Sequence, residues 1–274
     1  MSLMSLPPEF YVTAILSIIL TGISKSGFAG GLGVVAVPLM ALSVTPQMAA
    51  AINLPILVVM DILIIWRYRK SWSMAVILPM MPGALLGLAI GAATFEWAEP
   101  DAIRIAVGVM AVAMAARWLL ARRHAAQSPA EAETQPPLTP APKQTGRGSL
   151  FALGALSAYA SYIAHAGGPP VKGYFLRQRL EKSAFVGTNG MFFFFLNGLK
   201  LVSYTALGQI TLETAKVSAL LSPALIIGVL IGFALHSRIP QQAFSAIVYS
   251  LLGVVGLKLL WDGVIGTAFA ALFL

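Results

Sequence analysis

YIAHAGGPPVKGYF (162–175) sets a histidine and adjacent pairs of glycine and proline inside an otherwise apolar part of the chain. Glycine and proline are the weakest helix formers, so a helix that enters this stretch has to end in it. The flanking residues are too apolar for an ordinary surface loop. The stretch therefore predicts a helical hairpin whose turn lies among apolar neighbours.

The composition indicates that these neighbours include lipid. The chain of 274 residues is 58% hydrophobic and only 10% charged, against about 25% charged in soluble domains. A core can bury only part of this apolar surface, and several uncharged runs approach the ~20 residues that cross a bilayer. These runs are 73–95, 105–116, 183–199, 217–235 and 239–257. We predict an all-α polytopic membrane protein. The N-terminus has no basic residue before its apolar run and does not resemble a cleaved signal peptide.

A polar segment divides the chain. Residues 121–149 hold five prolines and show no apolar periodicity, which is typical of a flexible linker. We predict two halves of similar length on either side of it, residues 1–120 and 150–274.

The two halves resemble each other in sequence, which predicts an internal duplication. One match pairs MPGALLGLAIG (81–91) with SPALIIGVLIG (222–232), both with glycines four residues apart, a spacing that lets helices approach closely in lipid. A second match pairs EPDAIRIAVGVMAVAMAARWLL (99–120) with IPQQAFSAIVYSLLGVVGLKLL (239–260). The third pairs two polar residues, eight positions apart in each half, at an offset of 136: Asn53 and Asp61 with Asn189 and Asn197.

The distribution of basic residues predicts the orientation in the membrane. They concentrate at 67–70, 117–147 and 172–182, which the positive-inside rule places in the cytoplasm, whereas EWAEPD (96–101) carries acids and no base and is predicted outside. Matched helices then cross in opposite directions, so the repeats are inverted, the linker is cytoplasmic and both termini are outside. The predicted spans are 47–66, 73–95, 101–120, 183–205, 212–236 and 240–260.

Each half opens with a segment that fits neither one span nor two, residues 10–44 and 150–176. We predict that each is a glycine-broken re-entrant hairpin that enters and leaves by the same face. Non-helical backbone at membrane depth survives only where protein buries it or where it lines a wet cavity. Inverted repeats with broken helices are typical of secondary transporters, in which the breaks meet at the substrate site.

The ionisable residues near these breaks predict an anionic substrate. Lys25 adjoins the first break, His165 lies in the second, and Lys200 lies in or near the end of a later apolar segment. Helix N-termini at the breaks would add N–H donors. Two asparagines, Asn53 and Asn189, are predicted to bind the anion's oxygens. Asp61, the one clearly intramembrane acid, is the candidate for coupling.

These residues also have purely structural alternatives. Lys25 could extend to the membrane surface, His165 could be a neutral packing residue, and the two asparagines could simply bridge helices. Lys200 could pair with Asp61 or lie near the outer face, and Asp61 could instead pair with Arg67.

Other classes of function find less support in the sequence. GLGVVA (31–36) fits a dinucleotide fingerprint, but its flanks are membrane-apolar and the next acid, Asp61, is too distant. The three histidines are scattered, there is no cysteine, and the net charge of +8 falls in loops that flank membrane segments. We predict no enzyme, no catalytic residue, no metal, no cofactor and no nucleic-acid partner. An intramembrane enzyme acting on lipid is the weakest alternative.

GFAGGLGVVAVPLM (27–40) and AHAGGPPVKGYFL (164–176), one at the start of each half, resemble the twin glycine-rich motifs of the TauE/SafE sulfite exporter family. The second motif reads AGGPP in place of a fuller glycine run. The resemblance covers essentially the whole chain and implies transport of sulfite or small organosulfonates across the cytoplasmic membrane. By position it implies substrate contacts from Lys25, Ser26, Gly27, Gly30, Gly31, His165, Gly167 and Gly168.

The sequence therefore predicts a secondary transporter of the cell membrane that works by alternating access. An anion channel of the same architecture is the main alternative. The predicted partners are the sulfur anion, the lipid bilayer and, through the glycine faces, a second copy of the chain in a homodimer.

Overall fold

The computed structural model describes residues 6–27, 33–127, 146–178, 180–235 and 241–273, and within these ranges the secondary structure is entirely helical. The first half contains α1 (Pro8–Gly27), α2 (Ala36–Met40), α3 (Pro46–Arg67), α4 (Met74–Ile77), α5 (Met81–Trp97) and α6 (Pro100–Gln127). The second half contains α7 (Arg147–Ala164), α8 (Gly168–Arg177), α9 (Lys182–Ala206), α10 (Leu212–Leu235) and α11 (Gln241–Phe273). Short 3₁₀ turns precede α2 at Gly33–Val35 and join α4 to α5 at Leu78–Met80.

Six helical segments in the described ranges are long and apolar enough to cross a membrane, which confirms the polytopic all-α prediction. Their bounds lie close to the predicted spans, and α4, its 3₁₀ turn and α5 together form one of them. The segments are Pro46–Arg67, Met74–Phe95, Pro100–Leu120, Ser183–Ala206, Leu212–Gly232 and Ala246–Ile265.

Two helices extend beyond the predicted spans. The helix α6 continues to Gln127 and so enters the segment predicted as linker, because its end, ARRHAAQ, consists mostly of good helix formers. The helix α11 continues to Phe273 through a sequence that stays apolar after residue 260. A hydropathy window locates the apolar part of a helix, whereas a helix ends only where its backbone can no longer continue.

The two segments predicted as hairpins differ in the lengths of their arms. In the second, α7 has 18 residues, about 27 Å, and α8 has 10 residues, about 15 Å. In the first, α1 has 20 residues and α2 only five. The turn between them, residues 28–32, lies outside the described residues. The re-entrant path and the inverted orientation of the repeats stay predictions.

The main helices pack chiefly against helices of the opposite half. The helix α1 lies along α10, α5 lies along α7, α6 lies along α11, and α3 contacts α9. Exchanging each helix for its counterpart in the sequence match turns the α1–α10 pair into the α7–α5 pair. The pairing therefore has the pattern expected of two repeats related by an internal two-fold axis.

Glycines make the closest of these helix contacts possible. A Cβ atom on Gly87 would lie 2.1 Å from the carbonyl oxygen of Ala155, and one on Gly228 would lie 2.6 Å from that of Ile19. A Cβ atom on Gly91 would lie 2.6 Å from the Cβ atom of Tyr162. These members of the two predicted glycine faces are therefore used inside one chain.

Candidate functional site

The carboxylate of Asp61, in the last third of α3, connects three helices. One of its oxygens, Oδ1, lies 2.7 Å from Nζ of Lys25 near the end of α1. The other, Oδ2, accepts a hydrogen bond of 2.6 Å from Nδ2 of Asn197 on α9. The Asp61 side chain is 1% exposed and that of Lys25 is 13% exposed. The carboxylate of this ion pair is therefore almost completely shielded from solvent.

The ammonium of Lys200, on α9, extends the same network to α7 and to the second helix break. Lys200 is fully buried. Its Nζ lies 2.6 Å from the carbonyl oxygen of Ser161 and 3.2 Å from Oδ1 of Asn197. It also contacts Nδ1 of His165 and, at 3.3 Å, the hydroxyl of Ser161. His165 in turn places Nε2 3.0 Å from the carbonyl oxygen of Ala50 on α3.

The hydrogen-bond partners of this network allow its protons to be assigned. A carbonyl oxygen can only accept, so Nε2 of His165 carries a hydrogen, and we assign Nδ1 as the acceptor that faces Lys200. Asn197 donates its amide to Asp61, so its oxygen faces Lys200 as an acceptor. Together with the carbonyl of Ser161, Lys200 then has three acceptors, which match the three N–H bonds of a charged ammonium. In this assignment a neutral His165 lies beside a positively charged Lys200.

The backbone at His165 explains why α7 ends here. His165 has φ 53° and ψ 27°, the left-handed conformation usually taken by glycine at this position. The amide of Ala166 donates to the carbonyl of Ala160, and that of His165 donates to Ser161. The bond from His165 to Ser161 is that of an αL-type cap, with histidine at the position that glycine usually occupies. The chain turns inward there, and the imidazole points into the protein, where it is 9% exposed.

The glycine pair that follows is held tightly. The carbonyl oxygen of Gly167 accepts a bond of 2.6 Å from the hydroxyl of Ser157. A Cβ atom on Gly167 would lie 2.5 Å from the backbone oxygen of Ser157, so only glycine fits without displacement. Gly168 begins α8, and Pro169 and Pro170 follow it, so the first turn of α8 carries few free N–H groups.

Two small adjoining cavities lie beside the network. The larger, about 40 Å³, is lined by residues of both halves. They are Lys25, Val34, Leu57, Ser161, His165, Gly168, Asn189, Phe193 and Asn197. The smaller, about 10 Å³, shares Lys25, Asn189 and Phe193 with it and reaches Asp61. The larger cavity has room for about one water molecule, so the site is closed in this conformation.

The structure brings most of the predicted site residues together. Lys25, Asp61, His165 and Lys200 belong to the hydrogen-bonded network, and Gly168 and Asn189 line its cavity. Gly167 lies in the second break, where its carbonyl accepts a hydrogen bond from Ser157. Ser26 and Gly27 close α1 beside Lys25. Gly30 and Gly31 lie outside the described residues.

Asn53 is the exception among the predicted residues, because it lies outside the network. It is 1% exposed, and neither of its amide atoms has a hydrogen-bond partner in the part of the chain that the structure describes. The backbone carbonyls of two of its neighbours on α3 contact polar side chains of other helices. The carbonyl of Ala50 meets His165, and that of Ile52 accepts a bond of 2.7 Å from the hydroxyl of Ser218.

Two of the pairings considered from the sequence are wrong. Asp61 pairs with Lys25 and Asn197 rather than with Arg67, whose guanidinium lies 5.6 Å from the ring centre of Tyr68. Lys200 approaches Asp61 only through Asn197, and it is buried rather than at the outer face. The burial of Lys25 likewise excludes a side chain extended to the membrane surface.

Asn197 and Ser161 are site residues that were not predicted from the sequence. Asn197 had a usable signal, because it matches Asp61 in the predicted internal duplication. Ser161 acts mainly through its backbone carbonyl, which no residue type encodes, and it had no signal of its own.

A larger cavity, of about 400 Å³, lies at the end of α3 that the basic residues predict to be outside. Its polar lining consists of amides, hydroxyls and one acid: Thr45, Gln47, Gln209, Thr211, Glu213 and Thr214. Ile52 lies at its wall, one residue before Asn53, whereas Leu57, one turn further along α3, lines the cavity beside the network. Along α3, Asn53 therefore lies between the residues that line the two cavities. Among the described residues, no three potential metal ligands of the His, Cys, Asp or Glu type are grouped.

Membrane-length helices around a buried charged network define a polytopic membrane protein with an interior polar site. The family follows from comparison: residues 14–259 match the family model described as "Sulfite exporter TauE/SafE". The match covers most of the chain, so the chain belongs to this family, and the family places it among membrane transporters. Comparisons with curated proteins and with solved structures return no match.

Proposed function

We propose that this protein is a secondary transporter that moves sulfite or small organosulfonate anions across the cytoplasmic membrane. The observation that carries the proposal is the position of Lys25. Its ammonium lines the cavity between the two halves, while its counter-ion Asp61 is held from the other side by Asn197. A cation already paired with a buried acid remains in place without substrate and can still attract an anion.

The chemistry of the cavity fits a sulfur oxyanion. Such an anion has two or three equivalent oxygens and needs several donors at once. Lys25, the amide of Asn189 and the backbone at Gly168 surround the same small volume. At an effective dielectric constant of about 20, one lysine–anion contact at ~4 Å gives about 4 kcal/mol before desolvation. This is enough to select for charge while still allowing release.

Alternating access is supported by the closed cavity and by the arrangement of the helices. A space for about one water cannot hold a sulfonate, so transport requires the halves to separate around the site. The site lies where α1, α3, α7 and α9 meet, which is the place where repeats of secondary transporters move against each other. The basic loops favour a cytoplasmic linker and both termini outside. Asp61 is our candidate for coupling, because adding a proton to its carboxylate would release Lys25.

The test is transport by the purified full chain in proteoliposomes loaded with sulfite or methanesulfonate. We expect saturable flux in the wild type and at least a ten-fold loss in Lys25→Ala. The matched control is Lys258→Ala, which removes an exposed lysine paired with Asp262 on α11. Wild-type flux in Lys25→Ala would overturn the role of Lys25. Flux that does not saturate and ignores every counter-ion gradient would show the alternative, an anion channel.

A further inference from the structure

The buried network contains an unequal number of charges. Among the described side chains it has two ammonium groups, Lys25 and Lys200, and one carboxylate, Asp61. Residues 28–32, which complete the first break, contain no ionisable side chain. His165 is neutral in the hydrogen-bond assignment given above. The side chains of the network therefore carry a net charge of +1.

The unbalanced charge belongs to Lys200. Each of the three acceptors assigned to it is a neutral group: a backbone carbonyl, an amide oxygen and an imidazole nitrogen. Asp61 does not contact Lys200 directly, because Asn197 lies between them. The two oxygens of Asp61 already accept hydrogen bonds from Lys25 and Asn197. A buried charge without a counter-ion is costly. Lys200 itself lines neither cavity, but its partners Ser161, His165 and Asn197 line the larger one, so an anion bound there would supply the missing negative charge close to it.

We propose that Asp61 sets the valence of the transported anion, so that the site selects a monoanion, bisulfite or a sulfonate, over the dianions sulfite and sulfate. This inference rests on the proposed function and adds the charge of the substrate to it. A monoanion brings the network to neutrality. A dianion would leave one uncompensated negative charge in the same dry volume, and it would also meet the carboxylate of Asp61 across Lys25.

Asp61 acts here as a positioning and charge-setting residue. It contacts Lys25 and Asn197, and it lines only the smaller of the two cavities, whereas Lys25 lines both. Replacing its carboxylate by an amide keeps the size of the side chain and raises the net charge of the network's side chains to +2. The preference should then move towards dianions.

The experiment measures how well methanesulfonate and sulfate inhibit the uptake of radiolabelled sulfite into proteoliposomes at one pH. Methanesulfonate is a fixed monoanion and sulfate a fixed dianion, so their ratio of inhibition constants reports valence selectivity. We expect the wild type to favour methanesulfonate. In Asp61→Asn the ratio should move towards sulfate by about ten-fold or more, because one charge changes at close range in a poorly solvated site. Asp262→Asn, the same change in an exposed pair, should leave the ratio unchanged.

Two further variants keep the test decisive if Asp61→Asn folds poorly. Asn197→Asp lowers the net charge to zero and should weaken inhibition by both anions. The double variant Asp61→Asn/Asn197→Asp exchanges the acid and the amide, restores +1 without changing Lys25, and should restore the preference for the monoanion. An unchanged ratio in folded Asp61→Asn, or unchanged inhibition in Asn197→Asp, would overturn the inference while leaving the proposed function intact. A wild type that carries no sulfur anion would overturn the proposed function itself.

Discussion

Asp61 and Asn197 lie 136 positions apart, at corresponding places in the two halves, and are hydrogen bonded to each other across 2.6 Å. In two repeats related by a two-fold axis, matching residues can touch only near that axis. Their contact is therefore what the internal duplication predicted from the sequence requires where α3 meets α9. The two positions hold different groups, an acid and an amide. The contact between the two halves is therefore asymmetric, since only the carboxylate of Asp61 can form an ion pair with Lys25.

Replacing Lys200 by methionine should destabilise the protein strongly. The change keeps the length of the side chain but leaves Nδ1 of His165 and Oδ1 of Asn197 without a donor, whereas the carbonyl of Ser161 still accepts from the amide of His165. Each buried group left unpaired costs about 1–3 kcal/mol, so we expect a loss of about 2 kcal/mol or more in the free energy of unfolding. The measurement is unfolding of the purified protein in detergent. Lys216→Met, which removes an exposed lysine paired with Glu213, should cost less than about 1 kcal/mol. Equal losses in the two variants would contradict the buried network.

Replacing His165 by glycine should be tolerated better than replacing it by alanine. Both variants lose the imidazole and its bonds to Lys200 and Ala50, so their difference isolates the backbone. At φ 53° an alanine pays for the left-handed conformation, whereas glycine does not. We expect His165→Gly to be more stable than His165→Ala by about 1 kcal/mol. Equal thermal midpoints for the two variants would show that the left-handed cap is absent in the protein in solution.

Replacing Gly87 by alanine should separate α5 from α7. Its new methyl group would lie 2.1 Å from the carbonyl oxygen of Ala155, so the helices have to move apart, and we expect a loss of about 1–3 kcal/mol. The control is Gly198→Ala on α9, where nothing lies within 4 Å of the added carbon. There we expect a gain of about 0.5–1 kcal/mol from the better helix former. A stability scan that ranks the two variants the other way round would contradict the packing of this helix pair.

Two buried asparagines should respond to the same substitution in opposite ways. Asn53→Leu removes two amide atoms that have no partner among the described residues, so we expect stability to rise by about 1–3 kcal/mol while anion flux falls. Asn197→Leu breaks bonds to both Asp61 and Lys200 and should lower stability. Unfolding and proteoliposome flux are measured on both variants. Full flux in a stabilised Asn53→Leu protein would remove Asn53 from the transport path.

The apolar spans could be predicted from the sequence because the lipid requires long uncharged runs, and their bounds agree with the helices to within a few residues except at the ends of α6 and α11. The site could be predicted in part. Lys25, Asp61, His165 and Lys200 stand out because ionisable residues are rare inside membranes. Their pairing could not be predicted, because Lys25 and Asp61 approach each other only through the contacts of two separate helices. The role of Ser161 could not be predicted from the sequence either, because its acceptor is a backbone carbonyl and every residue has one.

The pairing of α1 with α10, α5 with α7, α6 with α11 and α3 with α9 has a consequence for how the protein is made. Each main helix of the first half leaves the ribosome before the helix that covers it has been synthesised. The glycine face of α5 and the acid of α3 therefore lie in the bilayer without their packing partners until α7 and α9 have been inserted. The two halves interlock as they assemble, and the native structure can form only after the last helices have entered the membrane.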